Sequence, residues 1–516
     1  MGVQTAIVVG AGVGGLTAAA LLAARGVRVT VAERAPVVGG KLMEVEIAGR
    51  RVDTGPTVLT KRAIFETIFA EADDDFGRHV TLNKLDILAR HAWPDGSRLD
   101  LFADEARSVD AIGTFAGRAA VEGYRRFCAD AKRTFETLDA PFMQAQRPNL
   151  PTMLARIAAR GWPGLTDIWA LQPYAPLWRE LGRYFPDPRL QQLFARYATY
   201  CGGSPFQAPA TLMLVAHLEQ QGVWAVEGGM RKIAEALAAL VTRTGGEILT
   251  GTEVDEITTH GGAVTGVRLA SGRRLQADAV VFNGDVAALG AGLLGDDVRA
   301  VASRQAQRSL SAITVSLVAG TSGIPLEHHN VFFSDTYCDE FDAIFRRADV
   351  TARPTVYICA PDHAEPAAPQ RLFCLINAPA TGDGPAPSQR EIDQWLHRIF
   401  AQLQRCGLTV DAQAPAQVAT PFDFHHRFPA TGGALYGPAP HAVLSAFRRA
   451  GSRTRVKGLY LAGGSIHPGP GLPMAAQSGR LAAQCLLADL ASSRTWHPVA
   501  MPGGTSTASA TTRPMR

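Results

Sequence analysis

Gly10, Gly12 and Gly15 stand in the pattern G-x-G-x-x-G, within the run GAGVGG, and Glu33 follows 18 residues after the last of them. Residues of these types at this spacing can hold the pyrophosphate and a ribose of a dinucleotide. Gly10 permits a tight turn, Gly12 lets the backbone approach the pyrophosphate, and Gly15 lets a helix pack close to a strand. The amino end of that helix offers free N–H groups and a positive dipole to the phosphates. Glu33 can accept hydrogen bonds from both ribose hydroxyls, and its charge disfavours a 2′-phosphate, which argues against NADP.

Other candidate chemistry is weaker. Gly290-Ala291-Gly292-Leu293-Leu294-Gly295 also matches G-x-G-x-x-G, but Asn283-Gly284-Asp285 separates it from the apolar run before it. No acid-terminated strand follows, so a helix end and turn is expected there, leaving one nucleotide site. Three histidine groups, His328-His329, His425-His426 and His467, lack H-E-x-x-H or facial-triad spacing. Adjacent histidines on a strand point to opposite faces and would not share an ion, so no metal is expected. The seven cysteines, 128, 201, 338, 359, 374, 406 and 485, are odd in number, widely spaced and without C-x-x-C. Buried reduced thiols are the expectation.

The elements that would position the glycines and the acid are legible around them. Thr5 to Val9 reads as a strand, Leu16 to Arg25 as a helix stopped by Gly26, and Val27 to Ala32 as a second strand ending at Glu33. Ala6 to Ala24 is 19 residues without a charge, long enough to suggest a membrane span. Four glycines, Gly10, Gly12, Gly14 and Gly15, would break such a helix in its first half. Met1 to Thr5 has no basic residue, so a signal peptide is not expected either. The chain of 516 residues is 47% apolar and 19% charged, with a net charge of +4. That excludes a disordered chain and offers no basic footprint for nucleic acid.

Residues 100 to 220 carry helical periodicity, as in LPTMLARIAARG and PRLQQLFARYATY. The Gly202-Gly203-Ser204-Pro205 turn is expected to open an apolar helix ending near Gly222. Glu247 to Ile257 reads as a strand, and Ala263 to Leu269 with Arg273 to Phe282 as a hairpin about Ser271-Gly272. Near the end, Leu459 to Ala462 is a strand, Gly463-Gly464-Ser465 a turn at its carboxyl end, and Met474 to Leu487 a helix. The tail from residue 491 is Ser/Thr/Gly/Pro-rich and expected to be disordered.

After Glu33 the chain continues RAPVVGGKL, with Arg34, Gly39, Gly40 and Lys41, then DTGPTVL with Gly55 and Pro56. This resembles the extended FAD fingerprint of the amine-oxidase-like flavoproteins, a group that includes amine oxidases, protoporphyrinogen oxidases and bacterial-type phytoene desaturases. CGGSPFQAP, GVWAVEGGM and the closing AGGSIHPGPGLPM resemble the phytoene desaturases in particular. With GGK-L-M and ATGGALYG, they look most like the late-acting branch, the hydroxyneurosporene (1-hydroxycarotenoid 3,4-) desaturases.

The resemblance implies an α/β fold. A discontinuous Rossmann-like FAD-binding domain would comprise 1–95, 225–295 and 452–490. A mixed α+β, helix-rich substrate domain would comprise 96–224 and 296–451, and 491–516 would be the tail. It implies FAD as cofactor, held by Gly10, Gly12, Gly14, Gly15, Glu33, Arg34, Gly40, Lys41, Gly55, Pro56, Val254, Asn283, Gly463, Gly464, Pro473 and Met474. Gly39, Gly40 and Lys41 would lie along the pyrophosphate, and the Val254 backbone would meet adenine. Lys41 stands where the family more often has Arg, which keeps the charge and loses bidentate geometry. Ile466 and Pro470 replace smaller residues and are expected to reshape the region beside the flavin.

The implied reaction is desaturation of an acyclic carotenoid. A hydride leaves one carbon for the flavin and a proton leaves its neighbour, with oxygen or a quinone reoxidising the cofactor; no catalytic base is legible. The alternatives are a phytoene desaturase, an amine or protoporphyrinogen oxidase, and a flavin-free lipid carrier like the Rab escort proteins. No paired aromatics for an amine cage stand near the closing motif. At ~0.8 kcal/mol per buried CH₂-sized group, transfer of a forty-carbon polyene to water would cost on the order of 20–30 kcal/mol. The implied enzyme therefore takes its substrate from a bilayer, as a cytoplasmic protein held peripherally on the inner or intracytoplasmic membrane, through the helices between residues 100 and 220.

Overall fold

Thr5–Val9 is the central strand of a five-stranded parallel sheet in the computed structural model, whose order is Leu459–Leu461, Ala279–Phe282, Thr5–Val9, Arg28–Ala32, Glu247–Leu249. The structure describes residues 4–162, 164, 166, 175–301, 307–365, 369–441 and 445–494. Helices cover this sheet, so its strands are runs of apolar residues rather than alternating ones; all four residues of Ala279–Phe282 are buried.

The helix Val13–Ala23 starts directly after the glycine turn, and every one of its residues is buried. It packs against Leu472–Arg494 and Arg231–Arg243. The long uncharged run is therefore a strand, a turn and a helix enclosed on all sides. No described helix is long and apolar enough to cross a membrane.

Two strands end earlier than periodicity suggests, for one reason: each hands the chain from one sheet to another. Glu247 to Ile257 breaks after Leu249, and Val254–His260 begins a separate three-stranded antiparallel sheet. The hairpin about Ser271-Gly272 forms between Ala263–Leu269 and Arg274–Gln276. Its second arm stops there, and Ala279–Phe282 crosses to the parallel sheet. Periodicity within a run cannot reveal which neighbour it will pair with.

The apolar helix before Gly222 is shorter than expected. A 3₁₀ turn at Ala210–Met213 precedes Leu214–Gln221. Val286–Gly290 is a helix and a turn follows it, as expected for the second glycine motif. The last helix reaches Arg494, so the first residues of the expected disordered tail are helical; 495–516 lie outside the described residues.

The second large sheet has seven strands in the order Ala416–Ala419, Ser311–Ala319, Gln370–Ala378, Val356–Cys359, His329–Phe332, Ile87–Ala92, Arg98–Phe102. All neighbours are antiparallel except His329–Phe332 with Ile87–Ala92. The hairpin Ile87–Ala92/Arg98–Phe102 straddles the domain divide read from the sequence at residue 95. Period-two alternation splits the sheet's side chains. Ile313, Val315, Val356, Ile358, Leu372, Cys374 and Ile376 pack beneath with Ile399 and Leu403 of the helix Gln389–Arg405. The opposite face looks into a cavity roofed by helices from the 118–221 region.

Candidate active site: a nucleotide cradle continuous with an apolar chamber

Three loops close on one another at the carboxyl ends of the parallel strands, the position where α/β sheets take ligands. Gly10 has φ +102°, a conformation that L side chains rarely adopt. A Cβ at Gly12 would stand 2.8 Å from Asn283 Oδ1, and one at Gly14 would stand 2.9 Å from Ala475 O and 3.0 Å from Gly463 N. A Cβ at Gly15 would collide with Gly10 O. Gly39 N donates to Ala11 O at 2.9 Å, bringing the second glycine loop against the first.

Glu33 ends its strand with Oε2 accepting from Ala11 N at 2.6 Å and Oε1 from Ala35 N at 2.8 Å. Each oxygen keeps a lone pair for a ribose hydroxyl. Asn283 Oδ1 is buried between the loops and has no hydrogen-bond partner. The cradle, in which Gly12, Gly14 and Gly15 leave no room for a Cβ, with a carboxylate at the strand end, fits the ADP half of FAD.

All the residues expected to hold the cofactor line one cavity, with the exception of Gly15. Gly15 sits behind the turn, where its missing side chain lets the first helix approach Gly10 and Asn283. Lys41 Nζ donates to Leu435 O at 2.5 Å and lies 5.2 Å from the Phe428 ring. Burial lowers its pKa from the ordinary lysine value, opposed by Asp285. Arg34 donates to the backbone oxygens of His426 and Arg427.

Arg449 went unnoticed in the sequence. Its guanidinium donates to the carbonyls of Tyr436, Pro438, Gly464 and Ser465, at 3.2, 2.8, 3.4 and 3.3 Å. It thereby ties the closing turn to the 436–438 loop, although burial lowers its pKa. No motif marks it, because its partners are backbone carbonyls brought together by the fold.

The cavity continues from the cradle into a chamber floored by the seven-stranded sheet, and the whole encloses about 1460 Å³. Drug-sized ligand pockets run to roughly 1,000 Å³. Thr355, Tyr357, Phe373, Leu375 and Asn377 form the floor; Leu138, Phe142, Met153 and Leu154 form part of the opposite wall. Pro470 lines the cavity, but Ile466 does not. Ile466 is 1% exposed and packs in the core with Ile7, Val280 and Leu459, so its bulk does not reshape the flavin region. An aromatic pair does reach the closing motif through tertiary contact. Phe142 and Phe447 line the cavity with centroids 5.4 Å apart, and Phe142 also meets His467 at 4.9 Å.

Two hydrogen-bonded polar groups stand out in the mostly apolar lining. On the floor, Tyr357 Oη lies 2.6 Å from Thr57 Oγ1 and 2.8 Å from His329 Nδ1. Burial pushes the Tyr357 hydroxyl well above its ordinary pKa and His329 well below its own, so both rest neutral. On the facing side, Arg196 and Glu219 form an ion pair at 3.1 Å with both side chains almost fully buried. Neither group is visible as a motif, since their members stand far apart in the chain.

The expectation that His328 and His329 diverge does not hold. The strand begins at His329, leaving His328 outside its alternation; the two rings lie 4.6 Å apart, edge to face. Ligand atoms of His328, His329 and Cys359 lie within 4.8 Å of one another, with His328 Nε2 3.7 Å from Cys359 Sγ.

Residues 13–487 match the family model of flavin-containing amine oxidoreductases. The chain is 50% identical to a hydroxyneurosporene desaturase of Rubrivivax gelatinosus over 98% of its length and 97% of that protein. It is 31% identical to a phytoene desaturase of Neurospora crassa over 94% of the chain and 84% of that protein. A putrescine oxidase solved with putrescine bound shares the fold at a TM-score of 0.62 and 16% identity, covering 95% and 99% of the two chains.

Proposed function

The chain belongs to the flavin-containing amine oxidoreductase family, and from that premise we propose that it is an FAD-dependent carotenoid desaturase that forms the 3,4 double bond of a 1-hydroxylated acyclic carotenoid. The observation that carries this reading is the joining of a dinucleotide cradle and a long, mostly apolar chamber in one cavity. The end-to-end likeness to a hydroxyneurosporene desaturase supports the hydroxylated branch over phytoene. The glycine loops, Glu33, Asn283 and the Gly463-Gly464 turn would hold FAD, which when bound supplies the hydride acceptor.

The chain's own part is to place the polyene, exclude water and receive a proton. Tyr357 takes that proton on Oη and passes its own to His329 Nδ1, while Thr57 fixes the hydroxyl. Loss of a hydride would leave the reacting carbon cationic, and a proton on the neighbouring carbon is then acidic enough for a neutral acceptor. Burial keeps Tyr357 and His329 neutral before the step. Oxygen or a quinone would complete the cycle.

The polyene would enter from a bilayer. Leu150, Met153 and Leu154 of the helix Leu150–Ala158 line the cavity, and Trp162 just beyond it is 78% exposed. An exposed tryptophan on the segment just after this cavity-lining helix suits a membrane interface. The test is to purify the protein, which should be yellow with flavin absorbance, and to supply liposomes carrying hydroxyneurosporene or phytoene. A new, longer-wavelength carotenoid from hydroxyneurosporene is the expected result, with Trp162→Ala lowering the protein fraction recovered on the liposomes. Conversion of phytoene alone would assign the chain to the early reaction, and a colourless protein would favour a lipid carrier.

A further inference from the structure

Arg196, Tyr200 and Glu219 line a chamber whose other walls are mostly apolar, and their arrangement has no evident structural need. Arg196 is 5% and Glu219 4% exposed. Glu219 Oε1 accepts from Tyr200 Oη at 2.9 Å and from Arg196 Nη1 at 3.3 Å; Oε2 accepts from Tyr197 Oη at 2.8 Å and Arg196 Nη2 at 3.1 Å. Arg196 Nη1 also donates to Tyr200 Oη, and the guanidinium lies 4.7 and 5.4 Å from the rings of Tyr197 and Tyr200. A buried ion pair is poor evidence for stability, because apolar side chains of similar volume usually do as well or better. Retaining one beside a hydrocarbon chamber calls for another reason.

The hydrogen-bond inventory supplies it. The four acceptor positions of the Glu219 carboxylate are filled. Tyr200 Oη gives its proton to Glu219 and accepts one hydrogen bond from Arg196, which leaves one lone pair. Two donors of the group remain, both on the guanidinium edge away from Tyr200: Arg196 Nε–H, which is buried and has no partner, and the second N–H of Nη2. Two spare N–H donors on one guanidinium edge, beside a chamber that is otherwise mostly apolar, call for an oxygen acceptor on the ligand, as an alcohol provides. Tyr200 is the member that is only half-buried, and it faces the chamber with Thr199 and Cys201 on the same turn.

We propose that Arg196, Tyr200 and Glu219 form a subsite that recognises the tertiary hydroxyl of the carotenoid, its oxygen accepting from the open N–H edge of Arg196, whose opposite edge is held by Tyr200. Glu219 and Tyr197 position the guanidinium. This rests on the hydroxylated-substrate reading. The subsite selects the hydroxylated end of the polyene and sets which bond meets the flavin. A site built to bond a substrate hydroxyl discriminates strongly against the analogue lacking it, because the analogue leaves the buried donors unpaired.

The test compares hydroxyneurosporene with neurosporene in phosphatidylcholine liposomes, using the holoenzyme, Tyr200→Phe, and the charge-neutral double variant Arg196→Met/Glu219→Leu. The double variant leaves no uncompensated ion, so it serves where a single charge removal would unfold the protein. Wild type is expected to favour hydroxyneurosporene in kcat/KM, and both variants to lose on the order of 10- to 100-fold of that preference, with flavin content and Tm retained. If both variants keep the wild-type ratio, or lose activity on the two carotenoids in parallel, the cluster is a packing element and the proposal is overturned. If wild type converts neurosporene or phytoene and not hydroxyneurosporene, the substrate reading fails and takes the subsite with it.

Discussion

Tyr357 Oη meets Thr57 Oγ1 and His329 Nδ1 while its ring lines the chamber. The reaction needs a proton acceptor at a fixed place, and proton transfer by a positioned group contributes roughly 10²–10⁴-fold. Tyr357→Phe keeps the ring and removes the acceptor. It is therefore expected to lower kcat about 10²-fold while leaving KM and flavin content close to wild type, measured by initial rates and by absorbance of the bound cofactor. A parallel loss of flavin would mean that Tyr357 acts through the fold instead. At this scale the sequence was informative about the cradle and silent about the chamber. Gly10 and Glu33 belong to one continuous strand, turn, helix and strand, with Glu33 bonding Ala11 N back across 22 residues, so spacing along the chain reports them. Thr57, His329 and Tyr357 meet only because Val356–Cys359 pairs with His329–Phe332 and the Gly55-Pro56-Thr57 loop folds over that face.

At the scale of elements, the first and last helices cross at glycines. A Cβ on Gly479 of Leu472–Arg494 would collide with Gly14 O of Val13–Ala23. That contact seats the first helix so that its amino end faces the cradle, and Ser478 Oγ beside it accepts from Gly463 N at 2.7 Å. Gly479→Ala must push the two helices apart. A loss of about 1–3 kcal/mol is expected, as for other overpacked interiors, together with weaker flavin retention; thermal melts and the flavin-to-protein absorbance ratio check both. The nucleotide-binding strand, turn and helix were readable because local propensity and burial agree there. The ends of Glu247–Leu249 and Arg274–Gln276 were not, since both stop where the chain changes sheets.

For the whole molecule, several histidines are buried deeply enough that the loss of hydration outweighs any compensating charge. Burial holds His328, His441 and His467 down to about 4, against an ordinary 6.5, and lowers His91 and His329 well below that value. The unfolded chain then binds more protons than the folded one as pH falls, so stability is fully present above about pH 6.5 and is lost progressively down toward 4. Thermal melts over that range should show Tm falling with pH. A Tm independent of pH across the window would show that these histidines do not stay neutral in the fold.

Adjacent residues determined the cofactor. A dinucleotide turn is built from one strand, one loop and one helix in series, so its glycines, its helix and its terminal acid keep fixed spacings that can be read from the chain alone. The closing motif and the other family signatures carried the expectation of a carotenoid desaturase in the same way. The chamber's polar groups, the helix crossing at Gly14 and Gly479, the burial of Ile466 away from the flavin and the convergence of His328 with His329 were decided by the tertiary structure. Each depends on which distant strands and helices become neighbours, and that follows from how buried faces of the whole chain pack together.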